Sequence, residues 1–300
     1  METCKLDIYE KVTNQIVAAI EAGAGNFRMP WHAAAGESPL PVNAASKRCY
    51  RGINVLALWA AAQAKSYASN VWATYKQWQE LGAQVREGEK AALVVLWKFP
   101  ERDAIEEEPA EENGRKKGRG VLARGYFVFN SEQVDGYTPP ELPALDPSLR
   151  IKAAEDFFAA LGADIRFGGV EAFYRPDEDY IQMPEYRHFR DVESFYSTLA
   201  HEAVHLSGAP GRLNRDLVTR FGSEAYAIEE LVAELGAAFV CATLGISNEP
   251  RPDHAAYISS WLAALRRDKR AIFTAAAKAQ AAVDWMHEWQ PAEELVGNVG

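Results

Sequence analysis

The sequence predicts an α+β protein of two domains, an N-terminal α+β domain and a mainly helical C-terminal domain with a small sheet. Three observations predict it. Hydrophobic spacing alternates between helical and strand-like periods over the first 130 residues, and becomes almost wholly helical after Asp191. The window GYTPPELPALDP at 136–147 holds four prolines and reads as an extended linker. Charge also divides there: residues 1–98 carry 11 Lys and Arg against 8 Asp and Glu, and the rest carries 21 against 34. The predicted domains are 1–135 and 148–300, joined by 136–147.

Leu6, Tyr9, Val12, Ile16, Val17 and Ile20 recur at helical spacing over Leu6–Ala22, and Gly23-Ala24-Gly25 stops the pattern. After a loop with Pro30, Gly36, Pro39 and Pro41, an amphipathic helix is predicted over Ile53–Lys65 and a short one over Thr74–Leu81. Ala91–Phe99 and Val121–Asn130 are rich in β-branched and aromatic residues and read as strands. Between them, ERDAIEEEPAEENGRKKGRG at 101–120 has few apolar residues and reads as a mobile loop; its RKKGR end is either a phosphate contact or a solvated hairpin tip. Beyond the linker come a helix over Leu149–Leu161 and strands over Asp164–Phe167, Ala172–Tyr174 and Tyr180–Met183. Two further amphipathic helices, Tyr257–Arg270 and Ala271–Glu288, precede a frayed tail.

Composition narrows the function classes. The net charge of −10 argues against a wholly basic nucleic-acid coat protein, but it permits a mildly basic domain joined to an acidic one. Cys4, Cys49 and Cys241 form no disulfide framework and no zinc-ligand spacing, which fits a reducing cytoplasm. The start METCKLDIYEK lacks a signal-peptide pattern, and the longest apolar run, near Gly236–Ile246, is too short for a membrane span. The expectation is a cytoplasmic protein with no membrane partner.

The strongest chemical signal is STLAHEAVHLSG at 197–208. His201 and His205 are four apart in an apolar helical run, so both imidazoles leave one face and can share a Zn²⁺ ion. Glu202, about 100° round the helix, is placed to act as general base on a water and then as general acid to a leaving group. Gly208 ends the helix and turns the chain back. The third ligand is expected from YAIEELVAELGAAFVCATLGI at 226–246, where Glu230 and Glu234 lie one turn apart on an apolar helix. A buried carboxylate there is costly unless it is paired or bound to metal. Glu230 is the preferred ligand. Glu234 is then the outer carboxylate that orients a ligand histidine, with the reverse order as the alternative. Glu229 is expected at the surface. Tyr226, His188 and Arg215 are candidates for stabilising a developing oxyanion.

The N-terminal domain interleaves cations with aromatic rings, as single-stranded nucleic acid requires. Five of the eight Trp fall in residues 1–98. Lys47, Arg48, Tyr50 and Arg51 form one cluster; Trp72, Tyr75, Lys76 and Trp78 form a second; Phe27, Arg28 and Trp31 form a third. Arg86 and Lys90 lie in a polar turn. The best DNA-binding candidates are Lys47, Arg48, Tyr50, Arg51, Trp72 and Lys76. Trp72 serves equally well as a stacking platform or as core. Arg212, Arg215 and Arg220 either extend a basic track beside the metal or pair locally, and RRDKR at 266–270 is a charged turn.

HEAVHLSG, GRLNRD and FGSEAYAIEELVAELGAAFVCATLGI resemble the zincin-like metallopeptidase domain of the ArdC antirestriction family. PVNAASKRCYRGINVLALW and YASNVWATYKQWQELGAQVREGEKAALVVLWKF resemble that family's N-terminal single-stranded-DNA-binding domain, which also fronts plasmid TraC-type primases. The resemblance implies a plasmid-borne bacterial protein that binds single-stranded DNA and shields incoming DNA from host restriction during conjugation. It also implies a metallopeptidase-like fold, though fold and ligands alone do not guarantee peptide hydrolysis. Two other functions remain in view: a DNA-dependent metalloprotease acting on a restriction-modification subunit or another DNA-bound protein, and a DNA-binding protein whose zinc is structural.

Overall fold

A computed structural model of the chain describes residues 7–25, 29–32, 40–98, 122–138, 147–217, 223–248 and 255–291. Phe27, Arg28, Cys4, Arg220, the acidic-basic loop at 101–120 and the end of the chain lie outside the described residues.

Helix α1 (Ile8–Ala24) starts where the Asp7 carboxylate accepts a hydrogen bond from the Glu10 amide, and it buries Val12, Ile16, Val17 and Ile20 along one face. A two-residue strand β1 (Val42–Asn43) precedes α2 (Ile53–Lys65), whose bounds match the sequence expectation. Strand β2 (Val71–Ala73) leads into α3 (Tyr75–Glu80), capped by a reciprocal Thr74–Gln77 box. Strand β3 (Gln84–Val85) is followed by β4 (Ala92–Lys98) and β5 (Leu122–Asn130), the two long strands expected from composition. Strand β6 (Val134–Asp135) pairs with β3. The main sheet runs β1-β2-β5-β4, with β4 and β5 antiparallel in the register Val94 to Tyr126 and β1 parallel to β2. The short strands β1, β2, β3 and β6 are too brief to show a period of two, so sequence patterning does not expose them.

The second half opens with α4 (Pro147–Ala160) and a three-stranded sheet of β7 (Asp164–Phe167), β8 (Phe173–Arg175) and β9 (Tyr180–Met183), ordered β7-β9-β8. Strand β8 is antiparallel to β9, and β7 is parallel to it. Helix α5 (Val192–Ser207) is capped by Asp191, which accepts from the Ser194 amide at 2.7 Å. Helix α6 (Glu224–Leu244) is capped by Ser223 and ends at Gly245 in the left-handed region. Helices α7 (Ala255–Arg267) and α8 (Ala271–Glu288) complete the fold. Among the described residues, no helix is long and apolar enough to cross a membrane.

Helices α5 and α6 carry the candidate metal ligands, and their approach depends on one missing side chain. A Cβ at Gly236 would lie 2.5 Å from Val204 Cγ2, so glycine is what allows α6 to press against α5 between His201 and His205.

The hydrophobic core is continuous across the expected domain boundary. Trp59 of α2 meets Phe239 of α6 with ring centroids 5.9 Å apart, Trp31 meets Trp261 at 6.3 Å, and Tyr9 meets Phe273 at 4.8 Å. Polar ties follow the same seam: Thr13 Oγ1 donates to the Lys269 carbonyl at 2.7 Å, and the Gly52 amide donates to Gln280 Oε1 at 3.0 Å. The linker reading of 136–147 falls largely outside the described residues.

Candidate metal centre and nucleic-acid interface

Both histidines of the HExxH segment are presented by α5. His201 Nε2 and His205 Nε2 face each other at 3.2 Å. From α6, Glu230 brings one carboxylate oxygen to 3.5 Å from His201 Nε2 and the other to 3.6 Å from His205 Nε2. A tetrahedral ion with ligand bonds of about 2.0–2.1 Å needs donors about 3.3–3.4 Å apart, since the edge of a tetrahedron is about 1.63 times its centre-to-vertex distance. The separation of the two Nε2 atoms is close to that value, and the Glu230 carboxylate spans the pair with one oxygen near each imidazole. Two ring nitrogens and a carboxylate are also the donors that suit a borderline divalent cation. Among the described residues, this is the group of three that can hold a metal ion.

Each histidine turns its other nitrogen to a carboxylate of α6. His205 Nδ1 lies 3.3 Å from Glu229 Oε1, and His201 Nδ1 lies 3.6 Å from Glu234 Oε2. The first is within hydrogen-bond distance and the second is a longer electrostatic contact, in the arrangement by which outer carboxylates orient ligand imidazoles. Glu229 corrects the sequence expectation: it is buried, not at the surface. Helix α6 is buried continuously from Glu229 through Cys241, so the amphipathic reasoning that sent Glu229 outward does not apply to it.

Glu229 is held by Arg215, whose Nε lies 3.1 Å and whose Nη2 lies 2.9 Å from Glu229 Oε1. The same guanidinium donates to the Val204 carbonyl at 2.6 Å and to Ser207 Oγ at 3.0 Å, satisfying the C-terminal end of α5. Burial pushes the Glu229 carboxyl up, but the hydrogen bonds from His205 and Arg215 outweigh it and hold the group below its usual range. Gly208 does more than stop α5: a Cβ there would lie 2.8 Å from Arg215 Nη2, so glycine leaves room for the guanidinium. Arg212 pairs with Asp179 at 2.7 Å. Both arginines therefore pair locally and do not extend a basic track.

A cavity of about 230 Å³ opens over the histidine pair. Glu202, Glu230, Tyr226, Tyr257 and residues of β8 line it. The Tyr226 and Tyr257 hydroxyls are 3.3 Å apart. Burial first, then the Tyr257 hydroxyl and the Glu230 charge, push the Tyr226 phenol up from its usual value, so it stays a neutral donor. Of the oxyanion candidates named from the sequence, Tyr226 faces this cavity. Arg215 serves Glu229, and His188 sits in a short 3₁₀ turn away from the cavity lining. Of the free cysteines, Cys241 is buried and its thiol is pushed up to about 12 by that burial, while Cys49 is exposed.

In the N-terminal half, Asn43 organises the cationic turn. Its Oδ1 accepts from the Ala45 and Ser46 amides at 3.1 and 2.9 Å, and Lys47 follows with φ 59°. Asn43 Nδ2 donates to the Tyr50 hydroxyl and to Gln77 Oε1, both at 3.1 Å, so this turn sits beside α3. Lys47, Arg48 and Lys76 are exposed, with Lys76 3.6 Å from Glu80. Tyr50 is half-buried, and burial pushes its hydroxyl up. Arg51 is exposed but forms an ion pair with Asp284 of α8.

The aromatic candidates need correction. Trp72, Trp78 and Trp31 are buried in core clusters, so the stacking-platform alternative for Trp72 and the surface reading of Trp31 are excluded. A β-strand with both faces covered buries Trp72, and at three residues β2 is too short to show a period in the sequence. Tyr75 is the exposed ring of that cluster, its hydroxyl accepting from Gln84 Nε2 at 3.1 Å. Sequence reasoning missed His32, whose Nε2 lies 3.1 Å from Glu234 Oε1. No local motif marks it, because it lies far from both metal helices in sequence.

Comparison with known proteins supports both halves. Residues 6–129 match the family model for the N-terminal domain of anti-restriction factor ArdC, and residues 152–278 match that for zincin-like metallopeptidases. The uncharacterized protein y4eC of Sinorhizobium fredii is 57% identical over 284 residues, covering 95% of this chain and 92% of that protein. Two Escherichia coli proteins named DNA primase TraC are each 38% identical over 297 residues, and the chain spans 27% and 20% of their lengths. Two crystal structures of the antirestriction protein ArdC from plasmid R388, one metal-free and one Mn(II)-bound, match with TM-score 0.75 at 40% identity, over 95% of this chain and 98% of theirs. With both family models matched in order and an ArdC protein 40% identical along nearly its whole length, the chain belongs to the ArdC antirestriction family.

Proposed function

We propose that this protein protects DNA entering a bacterial cell from restriction, that residues 1–135 bind it as a single strand, and that residues 148–300 hold one divalent cation, zinc, with 136–147 as the connection. The observation that carries the metal reading is the convergence of His201, His205 and Glu230: the two Nε2 atoms lie 3.2 Å apart, and the Glu230 carboxylate reaches each of them at 3.5–3.6 Å. The Mn(II)-bound ArdC relative supports a divalent ion in this family. Elemental analysis of the purified protein is expected to find about one divalent ion per chain; none at stoichiometric level sinks the assignment.

A cation held by His201, His205 and Glu230 would supply Lewis acidity and would lower the pKa of a water toward neutrality. Glu202, lining the cavity beside the ligands, is placed to take a proton from a water and to deliver it to a leaving amine. Tyr226, neutral and facing the same space, donates to an oxygen on which negative charge develops. These two residues favour a second reading, in which the protein cleaves a restriction-modification subunit or another protein held on the same strand, where tethering raises its local concentration. Glu202→Gln spares the ligands and removes the base. Any peptide hydrolysis is expected to fall by about 10²–10⁴-fold. Full DNA protection by this variant rejects the proteolytic account of protection, and lost protection with intact DNA binding rejects simple occlusion.

The DNA reading rests on the exposed Lys47, Arg48 and Lys76 around the Asn43 turn, with Tyr75 as the ring available for stacking and Tyr50 and Arg51 flanking them. Single strands are expected to bind more tightly than duplex, and affinity falls as salt rises. Replacing Lys47, Arg48 and Lys76 together by Ala lowers the slope of log affinity against log salt by about 2, given about 0.7 per phosphate contact on single strands. An unchanged slope in a salt titration moves the strand elsewhere.

A further inference from the structure

Two carboxylates support the two ligand histidines, and each is anchored by a residue from another part of the chain. Arg215, in the segment after α5, holds Glu229 behind His205. Glu234, behind His201, is held from the other half of the protein, by His32.

His32 is set for this contact by its own turn. Its amide donates to the Met29 carbonyl at 3.0 Å, and the Met29 amide donates to His32 Nδ1 at 2.9 Å. A backbone amide can only donate, so Nδ1 carries the lone pair and Nε2 carries the hydrogen. Nε2 therefore donates to Glu234 Oε1 at 3.1 Å, leaving Oε2 toward His201 Nδ1 at 3.6 Å. The His32 side chain is fully buried. Its turn is wedged in place by Trp31, which packs on Trp261 and whose carbonyl accepts from Asn248 Nδ2 at 3.2 Å.

We propose that His32 is a positioning residue for the metal centre: it fixes the Glu234 carboxylate, which fixes the ring of His201, so that the N-terminal half sets the metal affinity of the C-terminal half. The proposal rests on the metal reading above. Outer partners of this kind are worth about 10–100-fold in metal affinity.

The test uses the full chain and Zn²⁺, with the dissociation constant read by competition with a chromophoric chelator and thermal stability read on metal-free protein. His32→Ala weakens Zn²⁺ binding at least about tenfold. His32→Gln, which keeps an N–H near the Nε2 position, recovers most of that loss. Thr13→Val removes a different hydrogen bond across the same seam and leaves Zn²⁺ affinity unchanged, even where it lowers the melting temperature. Should His32→Ala fail to fold, His32→Phe takes its place, filling the space without a donor. Wild-type affinity in the donorless variant overturns the proposal, as does an equal loss in Thr13→Val or the absence of any recovery in His32→Gln. A wild-type chain that binds no Zn²⁺ refutes the underlying metal reading instead.

Discussion

Arg215→Ala is expected to destabilise the metal-free protein by about 3–5 kcal/mol, the cost of breaking a buried ion pair from one side. The guanidinium is almost wholly enclosed, and its removal leaves the Glu229 carboxylate buried beside His205 without its main counter-charge. At the end of α5, Ser207 Oγ loses the guanidinium it accepts from, and the Val204 carbonyl loses one of its two donors while keeping the Ser207 hydroxyl. Chemical denaturation of wild type and variant measures the loss. The paired change Arg215→Met with Glu229→Leu separates the two contributions, because apolar groups of similar volume often replace a buried pair at little cost. Stability in the pair is expected to recover well above the single variant, while metal affinity does not recover, since His205 has lost its outer carboxylate. A single variant within about 1 kcal/mol of wild type contradicts the structural role given to Arg215.

Gly236→Ala is expected to cost about 1–3 kcal/mol, although Ala is the better helix former by about 1 kcal/mol in an ordinary interior position. The added methyl meets Val204 Cγ2 at 2.5 Å and Cγ1 at 3.1 Å. Val204 has no freedom to yield: it is β-branched, fully buried, and set in a helix where one rotamer dominates. The strain is relieved by moving α6 off α5, and that movement separates Glu230 from the two imidazoles. Both stability and metal affinity therefore fall. Adding Val204→Ala to Gly236→Ala restores the fit and with it most of the metal affinity. A single variant more stable than wild type shows that the helices part without cost.

The long elements were legible because their periodicity is long. Ile53–Lys65 and Ala271–Glu288 appear in the structure with the bounds expected from spacing alone. The convergence of His201, His205 and Glu230 is legible for a local reason: a spacing of four on one helix puts two imidazoles on one face, and an acid on an apolar helix needs a partner. Everything that supports those ligands from afar is not. Glu229 was misassigned because α6 has no outward face at that point. His32 depends on a turn docked by tertiary contacts, and no spacing rule spans that distance. Trp72 fits two readings in sequence, and the strand that buries it decides for core. Aromatic rings next to lysines carry the same sequence pattern whether they face solvent or core.

The seam of Trp31 on Trp261 and Trp59 on Phe239 bears on how such a protein is inherited. Two units that meet through a shared core cannot be parted by recombination without exposing tryptophan and leaving Glu234 without its donor. A fusion that took either unit alone would inherit an exposed aromatic face in place of the shared core. The TraC primases are consistent with this, since the chain aligns to each across 297 residues that include both halves.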